Sequence, residues 1–120
     1  LKVVNSIVTG YHDDEVVWTS PKNDEVCNFS FDHCVLRTEK MNTEDSLKFT
    51  NVVYENLKDT TQFGEKHFRL FDTDNLKYDF RLRKESAAIG VADTATSFPT
   101  DRRGVLRDDK PDAGCYEFDE

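Results

Sequence analysis

The chain has 120 residues, among them nine Phe, four Tyr and one Trp, with one third charged and a net charge of −8. That length allows one domain around one modest core. The aromatic content excludes a disordered chain, the acidity excludes a nucleic-acid binder, whose phosphate contacts need a basic footprint, and no apolar run reaches the roughly 18 residues that cross a bilayer.

Short apolar runs rich in β-branched and aromatic residues, separated by polar turn material, predict strands nearly throughout. The first, Val3 to Val8, starts without a Met or a basic, signal-like opening, and the expectation is a piece of a longer protein whose targeting segment lies upstream. Val16 to Thr19 reads as a second strand. Phe29 to Leu36 and Leu47 to Tyr54 follow, and the best helical stretch, Thr43 to Leu47, spans about one turn, too short to stand alone. A turn is expected at Phe63 to Lys66, ahead of strands at Phe68 to Phe71 and Tyr78 to Leu82. Beyond them, Ala87, Ala88, Gly90, Ala92 and Ala95 are small enough to let the backbone lie against a packed face. Finally the turn Pro111-Asp112-Ala113-Gly114 leads into an expected last strand, Gly114 to Phe118.

Three of these runs share an internal pattern. Val3-Val4-Asn5-Ser6-Ile7-Val8 lies on Ser30-Phe31-Asp32-His33-Cys34-Val35 in a register that sets Asn5 on Asp32, and Lys48-Phe49-Thr50-Asn51-Val52-Val53 is a looser third copy at a shorter spacing. Coils of roughly 20 to 30 residues stack strand on strand, each burying its inward apolar side chains against those above and below. The strand spacings fit an antiparallel β-sandwich as well.

Few residues announce chemistry. Cys27, Cys34 and Cys115 form an odd set, which excludes a complete disulfide framework, and the expectation for Cys34 and Cys115 is a buried thiol acting as a small hydrophobe. His12, His33 and His67 show no metal-ligand spacing. Asp32 and His33 read either as an acid/base pair on a sheet face or, more simply, as a bend residue and its polar neighbour. Asp72 and Asp74 alternate as in a calcium loop, with Asp79 as a further ligand, although the glycine and the final acid of an EF-hand are missing, and a polar turn between the Phe68 to Phe71 and Tyr78 to Leu82 strands is the plainer expectation. Tyr11 and Trp18 flank Asp13 and Asp14, and aromatic rings beside carboxylates suit a sugar, which stacks on the ring and bonds its hydroxyls to the acids. For Trp18 a place in the core is the plainer expectation. Arg102, Arg103 and Arg107 are expected to pair with Asp101, Asp108, Asp109 and Asp112 and so fix a terminal loop.

The ordered series Tyr78-Asp79-Phe80-Arg81-Leu82, Ser86-Ala87-Ala88-Ile89-Gly90, Asp101-Arg102-Arg103-Gly104, Arg107 and Lys110 to Glu120 resembles the closing segment of right-handed parallel β-helix proteins of the pectate-lyase-like type, especially the secreted and surface-attached ones of Bacteroidetes. The resemblance implies an all-β chain with β-helix coils over residues 1–71 and closing loops with a terminal strand over 72–120. It also implies an extracytoplasmic location and polysaccharide as the partner. Enzymes of this type act on uronates with a basic residue, the substrate carboxylate being neutralised by calcium or another cation. Their catalytic residues sit on central coils, which here would lie upstream of Leu1, so none is assigned to this chain. The implied function is a non-catalytic part of an exported β-helix protein that binds or helps process polysaccharide; the alternative is the tail of a polysaccharide lyase or glycoside hydrolase. An open first coil would leave Val3, Val4, Ile7 and Val8 at an edge through which chains self-associate.

Overall fold

The computed structural model describes residues 1–17, 28–40 and 48–120. The Thr43 to Leu47 helix, half of the Val16 to Thr19 strand, Trp18 and Cys27 lie outside these residues. The elements are β1 (Lys2–Val4), β2 (Ile7–Val8), β3 (Ser30–Asp32), β4 (Val35–Leu36), β5 (Phe49–Thr50), β6 (Val53–Tyr54), a single 3₁₀ turn (Gly64–His67), β7 (Phe68–Asp72) and β8 (Lys77–Leu82). The described residues are therefore strands and loops without an α-helix.

Each of the three patterned runs forms two short strands instead of one. The break falls on Asn5, His33 and Asn51, with φ of 51°, 52° and 51°. Asn and His are among the side chains that tolerate this left-handed conformation best, and one such residue turns the chain from one sheet into the next. The first sheet has the order β1-β3-β5 and the second β2-β4-β6, all pairs parallel. Parallel pairing is not the arrangement of an antiparallel sandwich. Val3 pairs with Phe31 and Phe31 with Phe49, and the residue opposite Asp32 is Val4. This corrects the expected register, which set Asn5 on Asp32. Matching by polarity aligns those two, whereas the residue that shares Asn5's backbone conformation is His33, and a slip of one residue would turn every side chain to the opposite face.

Two clusters hold these layers. Val3, Phe31 and Phe49 from the first sheet meet Val8 and Leu36 from the second, with Cys34, Val16 and Val52 filling between. Phe31 and Phe49 stack with centroids 5.7 Å apart and planes 7° from parallel. The outer face of the second sheet carries Ile7, Val35 and Val53, which pack against Leu82, Ala88, Ala113 and Phe118. Strand β4 is thus buried on both faces, with Val35 and Leu36 fully enclosed, as continuous apolar runs in parallel sheets usually are.

The closing segment lies along the side of the stacked layers. It differs from expectation at Gly114 to Phe118, which contains no strand. Its backbone donors go to buried carboxylates instead of a neighbouring strand. Asp101 accepts from the amides of Arg103, Val105 and Glu117, Asp112 from those of Gly90 and Phe118, and Glu117 from those of Asp108 and Asp112. Arginines neutralise two of these acids, Arg103 at 2.9 Å from Asp101 and Arg107 at 2.8 Å from Glu117, and Arg103 also reaches Asp119 at 2.7 Å. The segment docks where the Gly114 amide donates to the Asn5 carbonyl at 2.8 Å. Gly114 has φ +100°, and a Cβ there would stand 3.1 Å from Ile7 Cδ1, so only glycine fits.

Strands β7 and β8 form an antiparallel hairpin with Phe71 opposite Tyr78 and Asp72 opposite Lys77. Its turn is closed by the Asp72 carboxylate, which accepts from the Asn75 amide at 3.1 Å and from Asn75 Nδ2 at 2.8 Å. No helix of the described residues is long and apolar enough to cross a membrane.

Candidate binding groove

Register places the first polar groups. The residues that follow β2, β4 and β6 are Thr9, Arg37 and Glu55, and the ladder continues through them: the Arg37 amide donates to the Val8 carbonyl and the Glu55 amide to that of Leu36, at 2.8 and 2.9 Å. Three side chains from three layers therefore converge. Glu55, its side chain wholly enclosed, accepts from Arg37 Nη1 at 2.9 Å, Thr9 Oγ1 at 3.1 Å and the Gly64 amide at 3.3 Å, and lies 2.8 Å from His67 Nε2. The far ring nitrogen of His67, Nδ1, is 2.7 Å from Ser86 Oγ. Burial works against the charged Glu55 carboxylate, but the hydrogen bonds from His67, Arg37, Thr9 and Gly64 outweigh it and hold its pKa below the ordinary value.

Ser86, His67 and Glu55 are the residue types of a hydrolytic triad, yet all three are buried and Ser86 Oγ also accepts from the Ala88 amide at 3.2 Å. Their effect is structural: they tie the ends of the stacked strands to the 3₁₀ turn and to the chain beyond β8. Sequence reasoning missed the set because its members are far apart in the chain, with no local spacing to mark them.

Above this anchor a groove of about 630 Å³ runs between the stacked strands and the hairpin. Ile7, Thr9, Tyr11 and Arg37 line one wall, Phe68, Phe71 and Phe80 the other, and the segment from Leu57 to Lys66 lies between. The hairpin wall is aromatic for a simple reason. Residues two apart on a strand share a face, so Tyr78 and Phe80 stand side by side, 5.8 Å apart and 2° from parallel. Phe71, on the partner strand, meets Tyr78 edge-on at 5.1 Å and Phe80 at 6.3 Å, and Phe68 closes the row against Phe80 at 5.2 Å. Phe71, Tyr78 and Phe80 keep 41%, 41% and 48% of their surface in solvent, a large exposed apolar patch for an acidic chain.

Of the residues that the sequence singled out for sugar, Tyr11 lines this groove and is 93% exposed. Its loop is set by Arg37, whose Nε donates to the His12 carbonyl at 2.8 Å. Asp13 does not line the groove; it is 3.9 Å from Arg37 Nη2 and largely exposed. Asp14 turns to the protein, accepting from the Thr38 hydroxyl and the Val16 amide. Trp18 is outside the described residues. Phe71 and Phe80 escape sequence reasoning because alternation alone marks them as core.

The acids read as a calcium loop are engaged otherwise. Asp72 caps the hairpin turn, Asp74 is exposed, and Asp79 grips Arg81 with both oxygens, which lowers its pKa to about 2. The described His, Cys, Asp and Glu side chains that bring three ligand atoms within 4.8 Å of one another are Asp32, His33 and Asp93. There His33 Nδ1 is 2.8 Å from Asp32 Oδ1, and Asp93 accepts from the Ala95 amide while its own amide donates to Asn5 Oδ1. Asn5 Nδ2 in turn donates to Thr96 and Ser97, so the first left-handed bend is where the closing segment is fastened. Cys34 is buried, and burial pushes its thiol pKa up; Cys115 is exposed, contrary to the expectation of a buried thiol, because the closing segment is a surface loop there and not a packed strand. Comparison with protein-family models, with curated proteins and with solved structures returned no match.

Proposed function

We propose that this chain forms coils and the closing segment of an exported right-handed parallel β-helix protein of the pectate-lyase-like type, and that it holds polysaccharide in the groove between coils and hairpin without cleaving it. Support for the β-helix comes from the parallel ladders that carry Val3 onto Phe31 and Phe31 onto Phe49, and from the matching left-handed residues, Asn5, His33 and Asn51, at each bend. The observation that carries the function is the groove wall: exposed rings of Phe71 and Phe80 face a wall bearing Tyr11, Thr9 and Arg37. A pyranose presents an apolar face to such rings and its hydroxyls to the polar groups between them. The non-catalytic assignment rests on the enclosure of Ser86, His67 and Glu55.

Affinity electrophoresis through gels that contain single polysaccharides tests the reading. At least one polysaccharide should retard the chain, and the double variant Phe71→Ala, Phe80→Ala should migrate freely while still unfolding cooperatively. Loss of two stacking contacts of about 0.5–1.5 kcal/mol each, before area burial, is a roughly tenfold loss of affinity. Free migration of the parent chain in every gel would end the proposal.

A further inference from the structure

Granting the groove as a polysaccharide site, we infer that it selects an uncharged glycan and binds by ring stacking, not by pairing with uronate carboxylates. A uronate needs a cation that is free to meet it. Among the described residues the groove has two cations, Arg37 and Lys66, and each has an acid beside it. Arg37 gives Nη1 to the enclosed Glu55 at 2.9 Å and Nε to the His12 carbonyl at 2.8 Å, with Asp13 at 3.9 Å from its remaining Nη2. Lys66 lies 3.6 Å from Glu65. Asp59 and Glu65 match these two cations, so the groove lining carries no excess positive charge, on a chain whose net charge is −8.

Arginines outside the groove do not repair the deficit. Arg103 and Arg107 are bonded within the closing segment to Asp101, Asp119 and Glu117, and Arg81 is locked onto Asp79 on the hairpin face opposite Tyr78 and Phe80. Nor does the groove offer a ready calcium bridge between its own acids and a uronate: Asp59 Oδ1 is taken by the amide and hydroxyl of Thr61 at 2.8 and 2.7 Å and Glu65 lies beside Lys66, so its acids supply few of the roughly six to eight oxygens that calcium takes. What the groove presents freely is apolar: Phe71, Phe80, Leu57 and the fully projecting Tyr11.

Calorimetric titration with cello-, xylo- and mannohexaose and with hexagalacturonate, each in EDTA and again in millimolar calcium, decides it. One or more of the neutral hexasaccharides should bind at least tenfold more tightly than hexagalacturonate under both conditions. Its affinity should change by less than about twofold between low and high NaCl, since screening acts on charge pairs and not on stacking. Phe71→Ala should weaken it about threefold while Phe71→Tyr retains it. Equal or tighter binding of hexagalacturonate, or an affinity that falls steeply with salt, overturns the inference and leaves the groove reading standing. Failure of all four sugars overturns both.

Discussion

Replacing Glu55 with Gln keeps the shape of the side chain and removes its charge at the point where three layers, the 3₁₀ turn and the segment after β8 are joined. In the parent chain the two carboxylate oxygens receive Arg37, Thr9, Gly64 and the His67 ring. A carboxamide accepts on one side only, so its NH₂ must face either the Arg37 and Thr9 donors or the Gly64 amide. In either orientation an enclosed donor loses its acceptor and Arg37 loses the charge that neutralises it, and breaking a buried pair costs about 3–5 kcal/mol, a large share of the roughly 5–15 kcal/mol typical of a domain. An exposed pair such as Lys66 and Glu65 is worth about 0–1 kcal/mol by comparison. Urea unfolding at neutral pH measures the loss as a drop in midpoint at unchanged slope. The pH dependence adds a second readout. The folded Glu55 pKa lies below its ordinary value of 4.5, so its contribution is fully present above the unfolded value and is lost as pH falls through the folded one. Glu55→Gln should therefore narrow the stability difference from the parent as pH drops below about 4.5. Asp112 acts in the opposite sense, since burial raises its pKa, but it is common to both proteins and cancels. A loss under about 1 kcal/mol at neutral pH would refute the reasoning, for it would mean that the anchor is open to water.

Phe31→Ala, which removes the ring stacked on Phe49, should cost about 3–5 kcal/mol in denaturant unfolding, and a loss below roughly 1 kcal/mol would contradict the register of β3. Asn51→Val should cost about 1–2 kcal/mol because a β-branched residue resists the left-handed bend, while Asn51→Gly should be nearly neutral; equal effects would mean that the bend is not left-handed. Gly114→Ala should lower the thermal midpoint, since the new methyl meets Ile7 at 3.1 Å on a backbone of φ +100°. By NMR, the Asp79 carboxyl should titrate near pH 2 and return to the ordinary range in Arg81→Gln.

How much of this was legible in the sequence follows from the kind of interaction involved. Apolar runs and the Asp72-Thr73-Asp74-Asn75 turn are local signals, and they located β1 to β6 as three runs and β7 and β8 as two strands with a polar turn between them. The split of each run was hidden because Asn5 and Asn51 look like turn formers, whereas His33 does not and the neighbouring Asp32 does. The closing segment misled for a different reason. Asp101, Asp112 and Glu117 read as surface acids, yet they are buried and take the backbone amides that a strand partner would otherwise satisfy. Of the groove, Tyr11 was visible as an aromatic beside acids. Phe71 and Phe80 were not, since exposure depends on which element covers a hairpin face, and that is decided by chain far away in sequence.

The central claim is that the aromatic groove is where polysaccharide sits. Its most direct test is a titration of isotopically labelled chain with the tightest-binding neutral hexasaccharide, followed by amide and ring resonances. The account predicts saturable shifts confined to Tyr11, Phe63, Phe71, Phe80 and their neighbours, with intermolecular contacts from sugar protons to the Phe71 and Phe80 rings. Shifts centred elsewhere, on the Asp32, His33 and Asp93 cluster or along strands β1 and β2, would contradict it.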